Sequence, residues 1–211
     1  MRKFIVTIDG PAASGKEKIA KYISRKWKLS HLDSGILYRR LAIIFMKNKI
    51  DIKNENLVKG CLKKINELSF RNSRKIRTQE VSLIASTIAT NQSVRKKINK
   101  LQYNHVQKNI NKSGFVIDGR DIGSKVFKDA DLKLYIDVNI KIRAKRRYKQ
   151  LIDCGEKSIY HKILKDIKLR DSKDKTRKNS PLVVPKGAKI VDNNGSFNNT
   201  IEQINSIFEL I

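Results

Sequence analysis

The strongest chemical signal in the chain is a glycine-rich segment that ends in lysine. Residues 10–16 fit the pattern G-x-x-x-x-G-K. Glycines let the backbone curl so that successive N–H groups face phosphate oxygens, while the lysine reaches the terminal phosphates. A chance glycine-rich turn is the weaker alternative. We therefore predict a phosphate-binding loop formed by Gly10, Pro11, Ala12, Ala13, Ser14, Gly15 and Lys16.

The two residues after the lysine depart from this pattern. Glu17 and Lys18 stand where a hydroxyl residue is expected, and we count both as part of the nucleotide-binding loop. A carboxylate about 4 to 5 Å from a phosphate would cost about 3 to 4 kcal/mol at an effective dielectric near 20. Alternatively, Glu17 could turn toward solvent at the helix start, or hold a magnesium-bound water.

Such a loop has to be held by a strand and a helix, and the flanking sequence supplies both. Phe4 to Ile8 is a short apolar run, and Ile19, Ile23 and Trp27 recur at helical spacing after Lys16. We predict further strands at Leu29–Leu32, Phe115–Ile117, Leu132–Val138 and Lys189–Val191, a second helix after Asp33-Ser34-Gly35, and further helices at Glu55–Leu68, Gln79–Ala89 and Ser93–Ile110. This alternation predicts an α/β fold with a parallel five-stranded sheet flanked by helices. The charge-rich stretch Asp153–Gly187 is expected to be partly mobile.

Composition limits the class of protein. A chain of 211 residues suits one compact domain, and it contains neither a long apolar run nor a secretory signal at residues 1–8, so a cytoplasmic protein is expected, with no membrane partner. Cys61 and Cys154 are too few for a disulfide framework or a zinc site. The net charge of +27 allows a nucleic-acid-binding protein as an alternative, but the lysines are spread over every predicted helix.

Several polar residues outside the loop give weaker chemical signals. His31, His105 and His161 show no paired carboxylate or metal spacing, so we assign them no chemistry. Asp33 follows a predicted strand and could either hold Mg²⁺ through water or cap the next helix. Taken alone, Arg39, Arg95 and Arg120 would be solvated surface charges.

The order of several short motifs changes that interpretation. The chain contains Asp9-Gly10-Pro11, Leu32-Asp33-Ser34-Gly35, Tyr38-Arg39, Arg77-Thr78-Gln79-Glu80, Asp118-Gly119-Arg120-Asp121 and Arg170-Asp171. In this order and approximate spacing, over nearly its whole length, the chain resembles the bacterial cytidylate kinases. The resemblance implies one P-loop kinase domain over residues 1–211, with a mobile acceptor-binding segment at about 34–113 and a lid at about 155–187.

The resemblance also implies an activity and a set of ligands. It implies transfer of the γ-phosphoryl group of ATP to CMP or dCMP with Mg²⁺, by a monomer that has no specific nucleic-acid partner. Carried over by position, Lys16, Arg120, Arg170 and Arg177 would act on the transferring phosphate. The implied acceptor-binding residues are Ser34, Arg39, Arg77, Ser86, Arg95, Arg120, Asp121, Arg170, Asp174 and Arg177, with Ser86 and Arg95 reading the base and Asp121 and Asp174 holding the sugar. No residue is assigned as a direct metal ligand.

The chain departs from this family at three places. Glu17 and Lys18 motivate a rival in which the chain keeps the fold but turns over slowly or not at all. The stretch Leu68–Ile76 is shorter than the family's insert, and its loss could loosen discrimination among pyrimidine acceptors. Lys173 and Lys175 keep the charge of arginine but lose its bidentate geometry.

Overall fold

Five strands form the sheet that carries the phosphate loop. The computed structural model describes residues 2–71, 73, 76–153 and 155–211. The strands are β1 (Phe4–Asp9), β2 (Ser30–Asp33), β3 (Gly114–Asp118), β4 (Leu132–Asp137) and β5 (Lys189–Asp192). Their order in the sheet is β2-β3-β1-β4-β5, and β1 pairs in parallel with both β3 and β4. The predicted five-stranded parallel sheet flanked by helices is confirmed.

Eight α-helices accompany the strands within the described residues. They are α1 (Lys16–Lys26), α2 (Ser34–Lys47), α3 (Glu55–Lys63), α4 (Gln79–Ile88), α5 (Gln92–Lys108), α6 (Ile140–Asp153), α7 (Tyr160–Thr176) and α8 (Phe197–Phe208). A single π-helical turn spans Ile122–Val126. The expected helix at Glu55–Leu68 is five residues too long, because the chain leaves the helix after Lys63.

The chain divides into two compact units, and the division falls inside β2. Unit 1 comprises Met1–His31 and Lys112–Ile211, and unit 2 comprises Leu32–Asn111. The core of unit 1 joins α1 and α8 to the central strands. Val6, Ile8 and Ile19 in it have no exposed surface, because β1 is a central strand and the apolar stripe of α1 packs against the sheet.

Unit 2 is helical and has its own core. Leu37 and Leu41 of α2, Ile88 of α4 and Ile98 of α5 are fully buried in it. Side chains of Asn54, Thr78 and Asn91 accept hydrogen bonds from the first turns of α3, α4 and α5, which explains where these helices begin.

Three helices of the structure were not predicted from the sequence. These are α6, α7 and α8, and α7 occupies the middle of the charge-rich stretch Asp153–Gly187. Cys154 lies outside the described residues, as do Asn72, Arg74 and Lys75 of the shortened stretch Leu68–Ile76.

Among the described residues, no helix is long and apolar enough to cross a membrane.

Candidate phosphoryl-transfer site

The phosphate loop joins β1 to α1 and adopts backbone dihedral angles that are unfavourable for most residues. Gly10 has φ of 152°, and a Cβ at this position would lie 2.7 Å from the carbonyl oxygen of Ile136. Gly15 has φ of 87° at the N-cap of α1. Ala13 is also left-handed, with φ of 58°, which is unfavourable for a residue with a Cβ. The surrounding contacts therefore have to hold this peptide in place.

Lys16 is buried inside the loop. Its ammonium donates hydrogen bonds to the carbonyl oxygens of Gly10 (2.8 Å) and Pro11 (2.7 Å) and to Ser14 Oγ (3.0 Å). Burial lowers the pKa of Lys16 well below its usual value, and the positive charge of Arg120 lowers it further. Asp118 and Asp9 act in the opposite direction. A negatively charged group placed beside Lys16 would raise this pKa again, because it favours the charged ammonium.

Glu17 and Lys18 both have partners on the outside of the loop. The Glu17 carboxylate lies 2.8 Å from Lys21 Nζ, one turn further along α1. The Lys18 ammonium lies 3.8 Å from the centroid of the Phe197 ring in α8, a cation–π contact. The Glu17 side chain is therefore directed along α1 toward Lys21.

Asp9, the last residue of β1, connects the loop to the segment that follows β3. Its carboxylate accepts hydrogen bonds from the backbone N–H groups of Ile122 and Gly123, each at 2.8 Å. Burial raises the pKa of Asp9 to about 6, although these two hydrogen bonds lower it. Asp9 therefore fixes the π-helical turn directly after Arg120 and Asp121.

Four of the predicted site residues in unit 1 form one ionic cluster. Asp174 of α7 accepts from Arg120 Nε at 3.1 Å and lies 3.4 Å from Arg177 Nη1. Arg177 Nη2 is also 4.0 Å from Asp121 Oδ1. Burial raises the pKa of Asp174, but the positive charges of Arg120, Arg170 and Arg177 outweigh it, so the pKa lies below its usual value. The arginines of this cluster therefore favour the ionised form of the Asp174 carboxyl group.

One histidine prediction is wrong. His31 Nε2 lies 2.7 Å from Asp118 Oδ1, so this histidine does have a paired carboxylate. The pair was missed because the two residues are 87 positions apart. The strands β2 and β3 are neighbours in the sheet, and this adjacency brings the pair together.

In unit 2, two of the predicted acceptor-binding arginines converge on Asp33. Arg39 Nη1 lies 3.9 Å and Arg77 Nη2 lies 3.7 Å from Asp33 Oδ2. Asp33 occupies the N-cap position of α2 but accepts no capping hydrogen bond. Ser34, the first residue of α2, is buried.

Arg95 is not a solvated surface charge. It is 4% exposed, donates Nη1 to the carbonyl oxygen of Ala89 at 2.9 Å, and has its guanidinium carbon 5.8 Å from the centroid of the Tyr38 ring. Ser86 is half-buried on α4, three residues before Ala89. Arg95 therefore contacts the C-terminal end of α4, the helix that carries Ser86.

Two further residues brace the loop and were missed in the sequence. Asn193, which follows β5, donates Nδ2 to the carbonyl oxygen of Ser14 at 2.7 Å and accepts from Thr200 at 2.8 Å. Arg143 of α6 donates to the carbonyl oxygen of Ala12 at 3.2 Å. A polar residue just beyond a strand's carboxyl end is a signal that could have found Asn193; Arg143 carries no such signal.

The part of the chain that the structure describes contains no group of three or more His, Cys, Asp or Glu side chains suited to a metal ion. A divalent cation at this site would therefore take most of its oxygen ligands from a phosphate or from water.

The fold and the loop together define a P-loop kinase. Two solved structures share the fold of this chain. The protein TT1252 of Thermus thermophilus aligns over 100% of this chain and 99% of its own, with a TM-score of 0.54 at 15% identity. An uncharacterised protein of Eubacterium ventriosum covers 99% of both chains, with a TM-score of 0.53 at 15% identity.

The sequence comparisons go further. The model of the family "Cytidylate kinase" matches residues 6–210, and the chain belongs to that family. A cytidylate kinase of Bartonella tribocorum is 40% identical over 194 residues, covering 91% of this chain and 87% of the relative. A cytidylate kinase of Rickettsia felis is 39% identical over 191 residues, covering 90% and 84%. The resemblance stated from the motifs is confirmed.

Proposed function

We propose that this protein transfers the γ-phosphoryl group of ATP to CMP or dCMP, giving ADP and CDP or dCDP, with Mg²⁺ and as a monomer. Family membership supports phosphorylation of CMP. The observation that carries the proposal is the burial of Lys16 among the loop carbonyls, with the charges of Arg120 and Arg170 acting on it. Phosphoryl transfer needs this concentration of positive charge more than it needs covalent chemistry.

The donor would bind to unit 1. Loop amides and Lys16 would hold the terminal phosphates of ATP, since a polyanion favours the charged form of an ammonium whose pKa burial has lowered. Arg120, Arg170 and Arg177 would neutralise the charge that develops on the transferring group. In this proposal the segment 155–187 acts as the lid that excludes water from ATP.

The acceptor nucleotide would be recognised by side chains with separate tasks. Within the proposed acceptor-binding segment at about 34–113, Arg39, Arg77 and Ser34 would bind the phosphate, while Ser86 and Arg95 would read the cytosine edge. Asp121 and Asp174 would hold the sugar.

The described residues fit a weakly held Mg²⁺. Asp118 is a buried carboxylate at the end of β3 whose charge acts on Lys16, and carboxylate oxygen is a ligand that Mg²⁺ accepts. We propose that Asp118 holds the ion directly or through water, together with phosphate oxygens. When bound, Mg²⁺ would neutralise phosphate charge during transfer.

Two alternatives are not favoured. An inactive relative was suggested by Glu17 and Lys18, yet both side chains have partners of their own, on Lys21 and on the Phe197 ring. A nucleic-acid-binding protein was suggested by charge alone, and family membership gives it no support. Binding to RNA that is salt-sensitive and tighter than binding to CMP would revive the second alternative.

A coupled assay that offers ATP with CMP, dCMP, UMP or AMP in turn tests the proposal. We expect turnover with CMP and dCMP above the other acceptors. Lys16→Ala should lower the rate by at least about 10²-fold, the scale of removing one donor to a developing charge, while calorimetry shows CMP binding largely unchanged. Failure of the wild-type chain to form CDP would refute the proposed activity.

A further inference from the structure

A single buried arginine links the phosphate loop to α7. Arg143 of α6 is 5% exposed. Burying a guanidinium at this depth costs free energy unless its donors find acceptors. Arg143 finds three: the carbonyl oxygen of Val138 (Nε, 3.0 Å), the carbonyl oxygen of Ala12 (Nη1, 3.2 Å) and Asp171 Oδ2 (Nη2, 2.6 Å).

The contact with Ala12 acts on the left-handed peptide of the loop. In a trans peptide the carbonyl of one residue and the N–H of the next point in opposite directions. Holding the Ala12 carbonyl oxygen on Arg143 therefore turns the Ala13 N–H away from Arg143. Ala13 has φ of 58°, so this peptide needs an external constraint to stay where it is.

The contact with Asp171 acts on α7, the helix that carries Arg170 and Asp174. Asp171 follows Arg170 and precedes Asp174 by three residues on α7. Its second oxygen, Oδ1, is buried without a hydrogen-bond partner among the described residues, so the contact with Arg143 is the main compensation for burying this carboxyl group.

We propose that Arg143 is a positioning residue for phosphoryl transfer, which holds the Ala12–Ala13 peptide and the Arg170 region of α7 in register without touching either nucleotide. Its planar fork fixes both partners at once, which a lysine cannot do. The inference rests on the proposed function, and it names a residue to which no binding role had been assigned.

The competing explanation is a purely structural ion pair, and a double replacement separates the two. Apolar residues can often replace a buried ion pair with little loss of stability. If Arg143 only stabilises the fold, Arg143→Met/Asp171→Leu should recover the melting temperature, the affinity for ATP and kcat together. If Arg143 positions the loop, the double variant should melt near the wild-type temperature while its affinity for ATP falls at least tenfold and kcat falls on the order of 10²-fold.

The single variant Arg143→Lys gives the same comparison if the double variant fails to fold. It keeps the charge but loses the fork, and we expect at least a fivefold loss of ATP affinity by calorimetry. The matched control is Lys145→Met, an exposed lysine on the same helix, which should leave affinity and kcat unchanged.

The outcomes distinguish this inference from the proposed function. A wild-type chain that binds ATP but forms no CDP would refute the function and leave the affinity comparison intact. ATP affinity within twofold of wild type in a folded double variant, or in Arg143→Lys, would overturn the positioning role. Absence of ATP binding in the wild-type chain would overturn both.

Discussion

At the scale of single residues, the unusual glutamate of the loop depends on a lysine one turn away. The pair between Glu17 and Lys21 is partly exposed, with side-chain exposures of 28% and 50%, so it is worth little for stability. The pair would instead orient Glu17, because it keeps the carboxylate on the outer surface of α1.

We predict that Lys21→Gln weakens ATP binding several-fold, because the released Glu17 carboxylate gains freedom to approach the bound phosphates. Calorimetric titration with ATP measures the effect. In a Glu17→Ser background the same lysine substitution should have no effect beyond that of Arg25→Gln, which removes an exposed charge from the same helix. Equal losses in both backgrounds would show that Lys21 acts only through its own charge.

The titration of Asp9 lowers the stability of the folded protein as the pH rises. A salt-bridged carboxylate has the opposite effect, because its contribution is lost as the pH falls. The folded pKa of Asp9, about 6, lies above the reference value of 3.8, chiefly because the carboxyl is buried. The folded state therefore binds this proton more tightly than the unfolded state does. The contribution of Asp9 is fully present below pH 4 and is lost as pH rises through about 6, by roughly 3 kcal/mol.

The comparison of wild type with Asp9→Asn tests this sign. We expect the free energy of unfolding of wild type, relative to the variant, to fall between pH 4 and pH 6 and to level off above that range. Urea melts at several pH values give the difference, and the carboxyl ¹³C shift of Asp9 gives its pKa directly. Parallel stability curves for the two proteins would contradict the assignment.

At the scale of the elements, the close approach of β1 and β3 requires a glycine. A Cβ on Gly114 would collide with the carbonyl oxygen of Phe4 and would lie 2.8 Å from Leu29 Cδ2. The register pairs Phe4 with Gly114, so relief would require the two central strands to separate.

We therefore predict that Gly114→Ala lowers the melting temperature, with a cost of about 1 to 3 kcal/mol typical of overpacking. Gly60 provides the matched control, because it lies within α3 and a Cβ there meets nothing within 4 Å. Gly60→Ala should raise stability by about 0.5 to 1 kcal/mol. Scanning calorimetry compares the melting temperatures of wild type and the two variants. An unchanged melting temperature for Gly114→Ala would show that β1 and β3 can separate without cost.

Local patterns predicted elements well and the site only partly. The loop, α1 and the central strands follow from a seven-residue motif flanked by an apolar run and a helical stripe, all of which are local in sequence. The pairs His31–Asp118 and Arg143–Asp171 span 87 and 28 positions. Such contacts depend on which strands become neighbours and on how helices pack, and no periodicity within one segment encodes them.

At the scale of the whole molecule, the net charge of +27 does not define a separate function. Much of the positive charge near the loop is compensated locally, as in the cluster of Arg120 and Arg177 with Asp121 and Asp174. A net charge of this size still attracts anionic ligands and makes their association sensitive to salt. The net charge therefore contributes to the attraction of anionic ligands, while specificity among them has to come from individual side chains.

The order of strands in the sheet has a consequence for how the chain is made. β1 is synthesised before the strands that it pairs with, because its partners are residues 114–118 and 132–135, so the nascent strand lacks these partners until β3 and β4 have been made. Residues 32–111, which emerge in between, have their own apolar core. The helical unit can therefore consolidate during translation, and the nucleotide loop acquires its shape only after β3 and β4 have been made.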